Sequence, residues 1–507
     1  MGWFPDGTKL LAQATSLGAE HSSVWVISML GGAPREIHEG GFAWSVSPDG
    51  SLIAFASTSF DSDIWLMGAN GEEPRKIVTA DEGEFLNWVV WSPDSRRITY
   101  ERLGFGATGA QCSIESRDLK GGHSAVVLSD PRLATAYGGG LWWSADGRLI
   151  YSLGEAVEPS PTAVTPDANL WEIQLDAGSG QAAGKPGRIT NWTEFSLAGP
   201  NATVDGKRLV FCRVSGQTDV YVGDLEASGT RLKAPPRRLT LNERNDMPTA
   251  WTPDSKAVLF HSDRSGKWEI YKQALDQDSA EPFVVDQRMS AIPRLSADGA
   301  WILYEAFEKP KDIGPPAPLQ LRRVPVSGGP SQLVLERSSQ EYRCARAPAT
   351  LCLVGDQTDD QKQLVFTAFD PVKGRGPEVT KIATKPGFGY AWDVSPDGSQ
   401  IAMALPTGGN RIRLLPLAGG TPRDLVVDGW YGFSAGPDFS PDGKGFYVAS
   451  TSPRGATLLY IDLTGHVTAL WEQKGSLGTW GAPSPDGGHL AILGDTVDSN
   501  VWMLENF

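Results

Sequence analysis

Few residues in this sequence are spaced for chemistry locally. GFSAG at 432–436 fits the G-x-S-x-G pattern of a nucleophile elbow and makes Ser434 a candidate catalytic nucleophile. That role needs a sharp turn from a strand into a helix on a parallel sheet. Here the match runs straight into DFSPDG, so a loop between strands is expected instead. GFGATG at 104–109 fits the glycine pattern of a dinucleotide loop. No helical sequence follows to aim amides and a dipole at a phosphate, and a hairpin tip is expected. The six histidines, His21, His38, His123, His261, His466 and His489, show no HxH or HExxH spacing. Cys344 and Cys352 flank one expected hairpin; burial as free thiols is the favoured reading over a bridge. Any site must therefore be assembled from distant positions by the fold.

The elements able to do this are written in a repeat. FPDG, SPDG, SPDS, SADG, TVDG, TPDS, SADG, SPDG, SPDG and SPDG begin at residues 4, 47, 92, 144, 203, 252, 296, 395, 440 and 484. A degenerate copy fits the gap between 296 and 395, with ATLCLVG at 349–355 as its following strand, giving eleven units. In each motif the first side chain can bond back to the chain and proline fixes φ. Aspartate accepts turn amides, and glycine takes the left-handed conformation that closes the hairpin. Alternating strands follow, such as SLIAFAS at 51–57 and KAVLFHS at 256–262, then VWVISM at 24–29 or IWLMGA at 64–69. A glycine-rich turn and a short basic strand end the unit, as in GGAPREI. Four short strands per unit predict an all-β fold, a β-propeller of four-stranded antiparallel blades with eleven blade repeats. Most of the 18 tryptophans fall just before the turn or on the third strand, where large rings are expected to wedge between blades.

Eleven blades exceed one ring, since propellers close with four to eight. The last unit ends at Phe507 one strand short, and PGRITN at 186–191 reads as the strand that would complete it. The expected domains are a four-blade portion at 1–185 and a closed seven-bladed propeller at 186–507. The first portion is expected to be open-edged or completed by a second copy in a homodimer, and its abrupt start reads as the middle of a longer ancestral protein.

In a propeller the innermost strands line an axial channel. Reading six to nine residues back from each turn places Glu194, Asn245, Asp246, Arg288, Tyr342, Tyr390, Tyr431 and Trp480 there in the second part, and Glu84, Asn87 and Tyr137 in the first. Carboxylates, amides and phenols suit a cation with oxygen ligands or a polar peptide end. Glu194 and Asp246 are the metal candidates, with Ca²⁺, Zn²⁺ or Mn²⁺ as the cofactor such a site would take.

Composition sets bounds. In 507 residues, 40% are hydrophobic and 21% charged, with 58 glycines and 36 prolines, a folded chain dense in turns. The net charge of −15 opposes nucleic acid or an anionic membrane surface as partner. No run of 18 apolar residues spans a bilayer, and no signal peptide is visible at MGWFPDGTKLL, so the chain as written is expected in the cytoplasm.

The SPDG-K-x-I-A-F-x-S unit followed by x-I-W/Y-V resembles the repeats of TolB-type β-propellers over nearly the whole chain. FTAFDPVKGRGPEV at 366–379 and the stretch from 451 to 494 resemble the C-terminal sensor portion of large bacterial proteins. In those the propeller follows a serine/threonine kinase or a winged-helix domain, and often lies beyond the membrane. The resemblance implies a non-catalytic sensor or binding module for a protein or peptide. The alternative is a metal-assisted hydrolase of esters, lactones or phosphoesters acting in the channel.

Overall fold

The computed structural model describes residues 2–14, 22–57, 63–106, 109–135, 139–155, 167–203, 205–308, 319–337, 341–385, 389–404, 410–427, 429–430, 433–452, 455–476 and 478–507. The side chains of 105–106, 109–110, 135, 337 and 434 lie outside that description. The described chain is all-β and propeller-like, built of four-stranded antiparallel sheets. The one helical element among the described residues is a 3-10 turn, Pro131–Thr135.

The repeat motif does mechanically what its residues dictate. In the turn opened by Ser47, the hydroxyl donates to Asp49 Oδ1 (2.6 Å) and accepts the Leu52 amide (2.9 Å). The Gly50 amide donates to the Ser47 carbonyl (2.8 Å), with φ of 72° at Gly50. These bonds hold Asp49 below the usual carboxylate range, the Ser47 hydroxyl first. The same bonds recur at Ser92, Thr252, Ser395 and Ser484. Where serine replaces glycine, Ser95 and Ser255 adopt φ of 61° and 59° and bear the modest cost of that conformation.

The described residues of Met1–Ser215 and Asp498–Phe507 form one compact unit, and those of Gly216–Lys311 and Pro316–Val497 the other. Two long strands, Arg208–Asp224 and His489–Glu505, run through this division, each giving one half to either unit. The units thus divide at 215/216, whereas the sequence suggested 185/186. Gly187–Arg188, within the stretch expected to complete the last unit, pairs antiparallel with Ala168–Gln174 in the first unit. A two-residue pairing strand carries too little pattern to choose its sheet from sequence.

In the first unit three four-stranded sheets run from Gly2–Trp3 to Arg35–His38, from Phe42–Val46 to Arg75–Thr79, and from Glu84–Trp91 to Ala125–Ser129. Leu141–Trp143, Arg148–Gly154, Ala168–Gln174 and Gly187–Arg188 make the next, followed by Ser196–Ala202 paired with Arg208 onward. In the GFGATG segment Gly106 stands opposite Gly109 in an antiparallel pair, and residues 107 and 108, where the tip was expected, lie outside the described residues.

In the second unit, four-stranded sheets run from Asp246–Trp251 to Glu281–Val284, from Met289–Leu295 to Gln332–Arg337, and from Glu341–Cys344 to Gly374–Ala383. Two more run from Trp392–Val394 to Arg423–Val426 and from Phe433–Phe439 to Val467–Lys474. A sixth combines Gly481–Pro483 with the unit's halves of the two long strands and Arg237–Arg238. Apolar faces of neighbouring sheets interlock: Ala250, Leu259 and Ile270 of one pack with Ile302, Tyr304 and Val324 of the next. Fully burying one such side chain contributes about 1.5–3 kcal/mol.

Tryptophan behaves as its size demands. Trp251 and Trp392 are fully buried, and Trp91 and Trp143 sit in clusters drawn from adjacent sheets. Trp3 and Trp502 are the exceptions, 57% and 40% exposed.

Cys344 and Cys352 form a disulfide, which corrects the expectation of free thiols. The two residues stand directly opposite each other in the antiparallel ladder, with Cα atoms 4.0 Å apart. Cys112 and Cys212 are free.

Candidate functional site

The second unit contains a cavity of 330 Å³ to which all six of its sheets contribute inner-strand or turn residues. One position recurs. Two residues before the residue that opens each turn stand Ala250, Arg294, Arg343, Asp393, Asp438 and Ala482, and all six line the cavity. The turn that follows Arg343 is the degenerate copy, and it adds Arg346.

Why this position faces the cavity follows from the backbone. Register shifts interrupt the inner strands between Pro248 and Ala250, Ala291 and Arg294, and Ala435 and Asp438. Ile292 and Gly436 there take φ of 52° and 88°, each four residues ahead of the turn-opening serine. A bulge of this kind inserts a residue and re-aims the side chains beyond it. Period-two alternation counted back from the turn fails at that point.

The charges are loosely matched. Arg294 Nη1 lies 3.7 Å from Asp438 Oδ1, and Arg343 Nε lies 3.6 Å from Asp393 Oδ1. Both separations are ion pairs too long for hydrogen bonds. The Nε atoms of Arg294 and Arg343 are buried without a hydrogen-bond partner among the described residues. Arg343 Nη1 donates to Glu341 Oε2 at 2.6 Å. Asp393 Oδ2 accepts the Phe439 amide at 2.8 Å. Burial, and then the Asp438 charge, push the Asp393 carboxyl up to about 6. Burial lowers the Arg346 guanidinium from its ordinary value.

The described residues expected in an axial channel do not line this cavity. Asp246 is fully buried, with Oδ1 2.7 Å from Arg264 Nη2 and Oδ2 accepting from Asn242 Nδ2. Asn245 accepts the Thr218 amide (3.1 Å) and donates to Asp263 (3.0 Å). Arg288 lies 3.5 Å from Glu308. The buried Tyr342 hydroxyl reaches the carbonyls of Ile292 and Leu303. Tyr390 accepts the Lys385 amide (2.8 Å), and Trp480 Nε1 donates to the Pro248 carbonyl (2.6 Å). None of these lines the cavity.

In the first unit Glu84 pairs with Arg102 at 2.7 Å, Asn87 is half-buried opposite Glu101, and Glu194 is exposed. Tyr137 and Tyr431 lie outside the described residues. Glu194 and Asp246, the metal candidates, belong to different units, and among the described residues no three His, Cys, Asp or Glu side chains cluster as a metal would need. Ser434 lies in the strand Phe433–Phe439, which leads through a turn into another strand, so the helix an elbow requires is missing.

Sequence reasoning missed Arg294, Arg343, Arg346, Asp393 and Asp438. The signal that finds four of them is the fixed offset of two residues from the turn. Glu101 of the first unit was missed as well: only 2% exposed, it is pushed up to about 8 by burial.

Comparison with known proteins adds the family context. An uncharacterized protein of Agrobacterium fabrum is 28% identical over 257 residues, covering 42% of this chain and 82% of its own. Among solved structures, an oligogalacturonate lyase in complex with manganese is similar at 15% identity and a TM-score of 0.31, over 76% of this chain and 88% of the other. TolB from Acinetobacter baumannii matches at 12% identity and a TM-score of 0.23, over 75% and 81% of the two chains. Residues 181–362, a stretch shorter than half of the chain, match the model of the TolB β-propeller domain.

Proposed function

We propose that Gly216–Val497 is a closed propeller of six sheets, and that its axial cavity takes a protein or peptide ligand, making the chain a non-catalytic binding module. The observation behind this reading is the single cavity wall assembled from all six sheets, with charged side chains at a repeated offset. A cavity of 330 Å³ is at the small end of ligand sites and accommodates a side chain or chain terminus rather than a whole domain. Closure has a physical basis: the Trp251 indole donates to the Ala482 carbonyl at 2.9 Å, and Trp480 to that of Pro248, tying the unit's first four-stranded sheet to its last inner strand. The Cys344–Cys352 bridge favours an oxidising compartment, in line with the extracytoplasmic placement that the family resemblance suggests. The sensor role is part of the same proposal.

The test is an array of random peptides. The chain should retain a sequence-restricted subset, and Ala347→Trp, at an exposed residue of the cavity wall, should lose it. Retention of the same subset by the variant would remove the cavity from the function.

A second reading, hydrolysis, draws on Asp393, a buried carboxyl poised near 6 beside Asp438 and suited to proton transfer. A panel of esters, lactones and phosphoesters tested with chelator and with Ca²⁺, Zn²⁺ or Mn²⁺ measures it; turnover abolished by Asp393→Asn supports it, and absence of turnover under every condition ends it.

A further inference from the structure

We infer that the floor of this cavity is an oxyanion site: Arg294, Arg343 and Arg346 bind a carboxylate or phosphate group of the ligand. The inference rests on the cavity being the ligand site and names the chemistry it recognises. Asp298 of the wall is taken up by the Ser296 hydroxyl and the Ala300 amide of its own turn, and the three guanidinium groups meet the other two aspartates, Asp393 and Asp438. Neither aspartate consumes the arginine donors, because both ion pairs are longer than a hydrogen bond. A guanidinium carries five N–H donors in a planar fork, and leaving them unsatisfied out of water is costly.

The orphaned Nε atoms of Arg294 and Arg343 sit in this wall. The half-buried Arg346 makes no side-chain hydrogen bond or ion pair with any described residue, while its backbone amide is fixed to the Pro396 carbonyl at 2.9 Å. Asp393 is turned to the Phe439 amide by a 2.8 Å bond, which orients it as part of the wall. An oxyanion entering between the arginines would satisfy these donors with bidentate, charge-assisted bonds. The chain's net charge of −15 opposes a general affinity for anions, so oxyanion binding would be local to these unsatisfied donors.

Calorimetric titration of the full chain with sodium succinate and with inorganic phosphate, each against sodium chloride at matched ionic strength, tests this. Saturable binding of either oxyanion and none of chloride is expected, the tighter of the two telling whether the natural group is a carboxylate or a phosphate. Arg346→Gln should weaken binding about tenfold or more, Arg346→Lys less, and Asp438→Asn, which frees Arg294, should tighten it several-fold. Unchanged affinity in Arg346→Gln, with its fold verified by circular dichroism, would overturn the inference, as would heats equal to those of chloride. Should peptide capture that depends on Ala347 persist while both oxyanions fail, the oxyanion site falls and the binding reading survives; should both fail, the cavity is not the ligand site.

Discussion

Two arginine clusters, one in each unit, are used in opposite ways. In the first, Arg102 donates to Glu84 at 2.7 Å and to Glu115 at 2.8 Å, and Glu115 also accepts from the Tyr100 hydroxyl at 2.8 Å. In the second, the guanidinium groups of Arg294 and Arg343 stand 3.6–3.7 Å from their aspartates. The first arrangement is complete in itself, and every neighbour is engaged. The second leaves donors unspent in a cavity. A partly buried charge already saturated by its own chain serves stability, whereas one held near but not against its counter-ion is available to something else.

The largest effect should come from breaking the saturated cluster. Arg102→Ala strands Glu84 and Glu115 and should cost about 3 kcal/mol or more, seen as a large fall in the melting temperature of the first unit. Arg346→Gln, by contrast, should cost under about 1 kcal/mol, since no bond within the described chain is lost. Equal destabilisation by both would erase the distinction. Next, reducing Cys344–Cys352, which closes a short loop, should lower the stability of the second unit by about 2–3 kcal/mol and leave the first unit's transition in place.

The smallest effects are in pH dependence. Asp393 and Glu101 both have folded-state pKa values above their unfolded ones, so each contributes stability at low pH that is lost as pH rises through the folded value. For Asp393 the loss falls between about 4 and 6, and for Glu101 between about 4.5 and 8. Calorimetry should find that Asp393→Asn flattens the second unit's decline across the lower window by on the order of 1–2 kcal/mol. Glu101→Gln should raise the first unit's melting temperature at pH 8–9 and change it little at pH 4. An effect of either variant confined to the other's pH window would contradict these environments.

What the sequence made legible was everything encoded by hairpin chemistry. Serine, proline, aspartate and glycine act within six residues of one another, and the bonds around Ser47 and Asp49 are those their types require. The tryptophans preceding the turns were legible for the same reason, since alternation carries over a single step. The lining of the cavity was not. Asp246 was placed in the channel by counting back along an unbroken strand, but the register shifts between Pro248 and Ala250, and no residue type announces such a bulge. The pairing of Gly187–Arg188 was equally hidden, because two residues hold no periodicity. The cystine escaped because spacing alone does not place two thiols in register.

The offset of two residues has a consequence for how such a chain can change. The side chains at Ala250, Arg294, Arg343, Asp393, Asp438 and Ala482 take no part in the bonds that close the hairpins beside them. Each can be exchanged without disturbing the joint that presents it, much as the teeth of a key are recut on one blank. Two alanines, two arginines and two aspartates are one setting of six dials, the arginines and aspartates turning in pairs, and a different ligand needs only a different setting.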